Sequence, residues 1–161
     1  MAVKTNAMRI LDRLKIDYKV HEYPHGDEAV DGMKVAELLG QDVHTVYKTL
    51  VTRGASAPSR AYYVFVIPVC AELDLKACAR AVGEKSVEMI HVREINAVTG
   101  YIRGGCSPVG MKKQYITVFH EQMLILDTVM VSGGKIGLQI ELSPADLIKT
   151  TSGITADIIT R

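Results

Sequence analysis

The chain has 161 residues, of which 48% are hydrophobic and 23% are charged, and its formal net charge at pH 7 is +1. This balance is ordinary for a globular protein, and the length predicts a single domain over residues 1–161. The near-neutral charge excludes a generally basic surface, so a nucleic acid would have to bind through a local patch or with a partner's help.

Cysteine and histidine spacing argues against metal sites and disulfides. The three cysteines, Cys70, Cys78 and Cys106, are odd in number and form no CxxC pair, which is atypical of a disulfide framework or a zinc cluster. The five histidines have no metal-ligand spacing, so no metal or cofactor is predicted. The longest apolar run, Tyr62–Ala71, is too short to span a bilayer, and the N-terminal segment lacks a signal-peptide pattern. We expect a reduced cytoplasmic protein with no membrane contact.

The first half of the chain predicts short helices and strands in alternation. Thr5 or Asn6 is placed to cap a first helix, whose apolar residues recur at helical spacing: Ala7, Ile10, Leu11 and Leu14. The pattern then predicts a strand over Ile16–Tyr23, a helix capped by Asp31 and ended by Gly40, a strand over Val46–Arg53, a loop over Gly54–Arg60, and a central strand, buried on both faces, over Ala61–Val69.

The second half predicts mainly strands. Its elements are a helix between Asp74 and Gly83, an extended segment over Ser86–Ile90, a helix over Val92–Val98, strands over Gly100–Arg103, Tyr115–Phe119, Leu124–Val131 and Leu138–Leu142, a helix from Ser143-Pro144 to about Thr150, and a last strand over Ile154–Ile159. This order predicts an α+β fold in which a mixed, barrel-like sheet of about seven strands is flanked by helices.

The most unusual stretch is Thr99–Lys113, TGYIRGGCSPVGMKK, which contains four glycines. Dense glycines let a backbone approach a ligand closely, and successive free N–H groups form an anion-binding concavity, although such loops are also ordinary turns. Gly105 and Gly110 have the spacing of a phosphate-binding P-loop, but no Lys-Ser or Lys-Thr follows Gly110, which excludes a nucleoside triphosphatase of that type.

Few side chains outside this loop suggest chemistry. Lys48 lies in an apolar strand, where it either points to solvent or pairs with an anion, because burying an ammonium alone is costly. Cys106 is a candidate nucleophile without an assignable histidine partner. Asp27 and Glu28 are candidate general bases or simple caps, and Ser132 either orients a substrate or makes a local turn bond. These residues indicate a site built from backbone amides and one lysine, without a protein nucleophile.

Several motifs, in this order, resemble the YbaK/EbsC family of free-standing aminoacyl-tRNA deacylases, which is related to the editing domain of bacterial prolyl-tRNA synthetases. They are VYKTLV around Lys48, ELDLKACA at Glu72–Ala79, VEMI at Val87–Ile90, TGYIRGGCSPVGMKK, and VSGGKIGLQIEL at Val131–Leu142. The resemblance runs from about Thr5 to Ile159. It implies removal of a wrong amino acid from a transfer RNA, usually cysteine from cysteinyl-tRNA(Pro). The expected partners are the acceptor end and prolyl-tRNA synthetase.

The resemblance also implies a set of site residues. Lys48 would hold the 3′-terminal nucleotide and the ester, Gly104 would contact the carbonyl through backbone amides, and Gly105, Ser132 and Tyr23 would bind the substrate. Many members have an aspartate where this chain has Gln139, so we do not expect Gln139 to act as an acid or base.

In this family the thiol of the substrate is thought to attack its own ester, so the resemblance implies that Cys106 is dispensable. Two alternatives remain open. One is a deacylase for another small residue such as alanine, with a pocket drawn from Leu50, Ile67 and Met89. The other is a non-catalytic module that binds transfer-RNA ends or a synthetase.

Overall fold

The computed structural model describes residues 4–55 and 61–161. In these ranges the helices are α1 (Asn6–Arg13), α2 (Gly32–Leu38), α3 (Leu75–Val82), α4 (Ile95–Thr99) and α5 (Pro144–Thr151), with 3-10 turns at Val92–Glu94 and Glu121–Ile125. The strands are β1 (Lys19–Glu22), β2 (Tyr47–Gly54), β3 (Tyr62–Pro68), β4 (Val87–Met89), β5 (Ile116–His120), β6 (Val129–Ser132), β7 (Leu138–Leu142) and β8 (Ile154–Ala156).

The strands form two sheets. The larger has the order β4-β2-β3-β5-β8, with antiparallel pairs on one side of β3 and parallel pairs on the other, and the smaller is the antiparallel sheet β1-β7-β6. The predicted mixed α+β class is confirmed. The predicted barrel-like sheet of about seven strands is not found, because β1 and β6 both pair with β7 in a separate sheet. Within residues 4–55 and 61–161, one isolated bridge, between Val46 and Met130, joins the two sheets.

The core lies on both faces of the central strand, β3, as its continuous apolar sequence predicted. Residues 64–67 of this strand have no exposed surface. One face packs against a cluster that includes Leu11 of α1 and Leu147 of α5, and the other packs against Cys78 and Ala79 of α3. Because successive strand side chains point to opposite faces, one strand supports helices on both sides of the larger sheet.

Local capping signals were good predictors of the helix ends. The side chain of Thr5 accepts a hydrogen bond from the Met8 N–H, Asp74 accepts from the second and third residues of α3, and Ser143 accepts from the Asp146 N–H. Leu14, the last apolar residue of the predicted helical pattern, is the C-cap residue that follows α1 and is half-exposed.

The glycine loop and the segment before β6 differ from prediction. Gly100–Arg103 is a turn rather than a strand, because Gly100 adopts a left-handed conformation that ends α4 and redirects the chain. Of the strand predicted over Leu124–Val131, only residues 129–131 pair with β7, and the pairing continues to Ser132. Of the predicted Gly54–Arg60 loop, Gly54 belongs to β2, and residues 56–60 lie outside the described ranges.

A partly exposed polar cluster supports the smaller sheet. The Glu141 carboxylate accepts a hydrogen bond from the Thr128 hydroxyl and lies 2.8 Å from the His21 ring nitrogen Nε2. The bond from Thr128, followed by that from His21, lowers the pKa of Glu141. Among the described residues, no group of three or more His, Cys, Asp or Glu side chains could hold a metal ion. No helix among them is long and apolar enough to cross a bilayer.

Candidate active site

A cleft of about 500 Å³ opens beside the N-terminal half of β2. Its wall is completed by the loop before α2, the segment Met89–Ile95, the glycine loop around Gly104, and the facing ends of β6 and β7. This volume lies within the range of small-molecule sites. The two sheets and the glycine loop therefore meet around one cavity.

The cleft exists because the outer edge of β2 lacks a strand neighbour in its middle, between the bridge of Val46 to Met130 and the pairing with β4. Strand β4 pairs with Thr52–Gly54, and the Ile90 N–H then bonds the Val51 carbonyl, so pairing stops there. The Val46 carbonyl and the Gly54 N–H both bond toward β3. Backbone groups alternate between the two edges of a strand. Those of Thr49 therefore face the cleft, between the bridge that joins Val46 to Met130 and the bond at Val51. This edge presents backbone donors and acceptors to a ligand.

The paired glycines allow a close approach of three segments. Gly104 has a φ of +83°, and a Cβ there would lie 2.9 Å from the Ala29 backbone. A Cβ on Gly105 would lie 3.0–3.1 Å from backbone atoms of Lys135 and Ile136. Side chains are therefore excluded at both positions, at Gly104 also by its left-handed conformation. The GG pair fixes the glycine loop against the turn that follows β6.

Side chains from the N-cap of α1 and from the glycine loop support both glycine turns. The Thr5 hydroxyl donates to the Gly133 carbonyl, next to Ser132, at 2.5 Å. The Tyr101 hydroxyl donates to the Val109 carbonyl at 2.6 Å, and a Cβ on Gly134 would lie 3.0 Å from the Tyr101 ring. Hydrogen bonds to backbone carbonyls thus hold the shape of the cleft, and long side chains contribute little to it.

Three charged residues line the cleft. Lys48 is partly buried and forms no ion pair with any described residue, and Arg103 is exposed and equally unpaired. Asp31 occupies the N-cap position of α2, but its side chain makes no hydrogen bond to that helix. Asp31 is thus the N-cap residue of α2, as predicted, but its carboxylate does not bond the helix and remains available to the cleft.

The cysteine of the cleft is poorly suited to nucleophilic attack. Burial raises the pKa of the Cys106 thiol to about 11, so it is protonated at neutral pH, whereas the thiolate is the nucleophilic form. No histidine is among the described residues that line the cleft. The arrangement lacks the base that activates a cysteine or serine in covalent catalysis.

Two buried polar atoms of the cleft wall have no hydrogen-bond partner among the described residues. They are Oγ1 of Thr49 and Oε1 of Gln139. Leaving such groups unpaired costs about 1–3 kcal/mol each. Their position in one cavity wall is expected of a site that a polar ligand completes.

The structure brings together four of the five predicted site residues, since Tyr23, Lys48, Gly104 and Ser132 all line this cleft. Gly105 packs behind the lining, against the Lys135 backbone. Besides lining the cleft, the Ser132 hydroxyl accepts a hydrogen bond from the Gly134 N–H, so it also makes the local turn bond considered above.

The other candidates divide between the cleft, the core and the surface. Leu50 and Met89 line the cleft, but Ile67 is fully buried under α3. Asp27 and Glu28 are exposed and lie outside the cleft lining.

Sequence reasoning missed Thr49, Asp31 and Arg103 as lining residues. Thr49 carried no sequence signal. Asp31 carried a signal that fitted a helix cap equally well, and Arg103 adjoins the GG pair.

Comparison with known proteins identifies close relatives. A family model described as "Aminoacyl-tRNA editing domain" matches residues 27–150. A protein of Enterococcus faecalis (strain ATCC 700802 / V583), described as "Putative Cys-tRNA(Pro)/Cys-tRNA(Cys) deacylase EbsC", is 45% identical over 158 residues, covering 98% of this chain and 94% of that protein.

Two solved structures share the fold over nearly the whole chain. One, described as a hypothetical protein, has a TM-score of 0.84 at 22% identity and covers 97% of this chain and 100% of that one. The other, described as a "putative trans-editing enzyme for prolyl tRNA synthetase", has a TM-score of 0.81 at 24% identity and covers 99% and 100%. At these identities the likeness establishes the fold alone.

Proposed function

Because the chain belongs to the aminoacyl-tRNA editing domain family, we propose that it hydrolyses cysteine from mischarged cysteinyl-tRNA(Pro) in the cytoplasm, beside prolyl-tRNA synthetase. The family and the enzyme class predicted from the sequence are confirmed. The observation that carries the narrower proposal is the cleft itself, which combines an unpaired lysine and an open strand edge with a cysteine that is protonated at neutral pH. Such a site can hold and polarise an ester while supplying no nucleophile of its own.

Each lining residue has a role that its chemistry supports. Lys48, unpaired in the free protein, would hold the phosphate or the ester oxygen of the terminal nucleotide. The backbone amide of Gly104 would stabilise the negative charge that develops on the carbonyl oxygen, because preorganised donors are effective in a partly desolvated site. The Gly105 N–H already donates to the Ile102 carbonyl, so Gly105 would contribute by positioning the loop. The hydroxyls of Ser132 and Tyr23 would fix the position of the ribose and the amino acid.

The reaction then uses the thiol of the substrate. Its sulfur attacks the ester carbonyl carbon, a carbon–sulfur bond forms, the bond to the ribose oxygen breaks, and that oxygen takes the thiol proton. Water subsequently opens the cyclic thioester to free cysteine. Holding sulfur and carbon near attack geometry is proximity catalysis, for which no enzyme nucleophile is required.

Asp31 suits the positive end of the substrate. An aminoacyl ester carries an α-ammonium group, and Asp31 is the carboxylate among the described lining residues, free of the capping bond that its position would allow. Pairing with a substrate cation is a use consistent with an unengaged carboxylate in a cleft. Asp31 is also placed to orient a water, which keeps the removal of alanine as a second candidate function.

Deacylation of cysteinyl-tRNA(Pro) and alanyl-tRNA(Pro) tests the proposal. Wild-type protein, Lys48→Ala, Lys48→Arg and the exposed-site control Lys76→Ala would be compared. We expect fast loss of cysteine alone, abolished by Lys48→Ala and unaffected by Lys76→Ala. Loss of alanine in place of cysteine would assign the second candidate function, and turnover of neither would refute an editing enzyme of this specificity and leave a binding module.

A further inference from the structure

One side of the cleft mouth has an exposed apolar rim. Met89 and Val92 line the cleft and are 43% and 55% exposed, and Ile102, next to the lining residue Arg103, is 54% exposed. These residues come from two segments that the fold places at one opening. Exposed aliphatic surface at the mouth of a cavity favours contact with a partner that has flat apolar faces.

The cations of this rim outnumber its carboxylates, because Arg53, Arg93 and Arg103 are set against Glu88 and Glu94. Arg53 Nε lies 2.9 Å from Glu88, and Arg53 Nη1 lies 3.3 Å from Glu94. The second oxygen of Glu94 accepts the His91 N–H. One arginine therefore engages both carboxylates, and Arg103 is left without a partner among the described residues.

The opposite charge lies on the loop before α2, whose Ala29 packs against Gly104, next to Arg103. The loop before α2 contributes Asp31 to the cleft and carries the exposed Asp27 and Glu28. A smaller cavity beside Tyr23 contains Lys135 but also Glu22. A chain of phosphates leaving the cleft would be repelled along these routes and attracted along the rim of Met89, Val92, Ile102 and Arg103.

We propose that this rim is the exit path of the single-stranded 3′ end of the transfer RNA, with Arg103 contacting a phosphate and Ile102 packing against a base. The inference rests on the proposed function and assigns the part of its substrate that lies outside the cleft. Single-stranded nucleic acids are held by this combination of cations and apolar stacking surfaces. A single phosphate contact at the rim also agrees with the low net charge of the chain.

The test is binding of an uncharged acceptor-stem minihelix of tRNA(Pro) with its 3′ single strand, measured by fluorescence anisotropy at 50 and 200 mM salt. Arg103→Gln is compared with Arg13→Gln, an equally exposed arginine at the end of α1. One lost contact to a single strand lowers the salt slope by about 0.7, so the advantage of the wild type over Arg103→Gln should shrink about 2.6-fold over this range. Arg13→Gln should follow the wild type.

The apolar part of the rim is tested with a second matched pair of variants. Ile102→Gln and Ile116→Gln alter isoleucines that are 54% and 52% exposed, the second of them on β5. We expect Ile102→Gln to weaken binding by about two- to fivefold, because an aliphatic side chain packed on a base contributes at most the lower end of what an aromatic ring does, and Ile116→Gln to have no effect. A minihelix without the 3′ single strand should not distinguish any of the variants.

The outcomes separate this inference from the proposed function. Wild-type salt slope and affinity in Arg103→Gln and Ile102→Gln would overturn the inference, as would no binding of the minihelix by the wild type. Because the minihelix carries no amino acid, these results do not depend on hydrolysis. If the variants weaken binding as expected but the wild type fails to deacylate, the rim stands as an RNA-binding surface and the editing reaction is refuted.

Discussion

Replacement of Cys106 by alanine decides whether the protein supplies a nucleophile. Its thiol lines the cleft, and burial raises its pKa to about 11. At pH 7.5 only about 3 in 10,000 molecules would carry the thiolate. A substrate thiol with an ordinary pKa of about 8.5 is ionised in roughly a tenth of molecules at the same pH. The substrate therefore offers hundreds of times more thiolate than the enzyme.

We expect Cys106→Ala to deacylate cysteinyl-tRNA(Pro) within about threefold of the wild type. Loss of the sulfur atom from a partly buried site should lower the free energy of unfolding by about 1 kcal/mol, which chemical denaturation would measure. The variant must be assayed below its unfolding temperature, with a circular dichroism spectrum equal to that of the wild type.

The pH dependence gives an independent readout. If the substrate thiol attacks, the rate should rise from pH 6, reach half its maximum near pH 8.5 and level off above about pH 9.5, with the same profile in wild type and Cys106→Ala. If Cys106 attacked, the rate would rise about tenfold per pH unit as far as pH 10 or beyond, toward its own pKa. A folded Cys106→Ala protein that has lost a hundredfold or more in rate would refute substrate-assisted catalysis.

Three further changes test the site and its support. Gly104→Ala, at a φ of +83° and overlapping a neighbouring backbone, should cost roughly 2–4 kcal/mol of unfolding free energy by strain and overpacking and greatly reduce kcat. Asp31→Ala should change the free energy of unfolding by no more than about 0.5 kcal/mol but raise KM. Asp74→Ala, which removes a side chain that does cap a helix, should lower the free energy of unfolding by about 1 kcal/mol and leave KM unchanged. The reverse pattern would show that Asp31 has a structural role. The pKa of Glu141 is lowered chiefly by the hydrogen bond from Thr128, so its carboxylate should stabilise the fold above about pH 4.5 and lose this contribution as the pH falls. Glu141→Gln should therefore be less stable than the wild type by about 0.5–1 kcal/mol at pH 7 and equally stable near pH 3. A difference in stability that persists at pH 3 would contradict this titration.

The elements that sequence predicted best are those whose causes are local. The side chains of Thr5, Asp74 and Ser143 each accept hydrogen bonds from N–H groups two or three residues ahead. A segment of three or four residues is therefore enough to predict each of these helix starts. The apolar run of β3 is similarly explicit. The partner of a strand is not local: nothing in β1 reveals that it pairs with β7, 120 residues later. For this reason the two-sheet arrangement was missed although its strands were mostly found.

The candidate site divides in the same way. Lys48 and Gly104 were proposed from motifs, and their placement in one cleft required the fold. Thr49 became visible as a lining residue only because neither β4 nor β6 pairs with it, and Arg103 only because the glycine loop packs beside the same cleft. Asp31 was missed as a lining residue because an aspartate before a helix has the same sequence pattern whether its carboxylate bonds the helix or a ligand. Only the absence of the capping bond distinguishes the two uses.

A cleft of this composition would discriminate by reactivity more than by size. Alanine and cysteine differ by one sulfur atom, and a pocket that admits the larger cannot strongly exclude the smaller by contact alone. If the wall holds the ester but offers no activated nucleophile, an alanyl ester can bind and remain intact, whereas a cysteinyl ester brings the attacking group with it. The protonated state of Cys106 is then part of specificity, since an ionised thiol at that position would attack either ester. On this reasoning, a variant that lowers the pKa of Cys106 should gain activity on alanyl-tRNA(Pro) before it gains any on cysteinyl-tRNA(Pro).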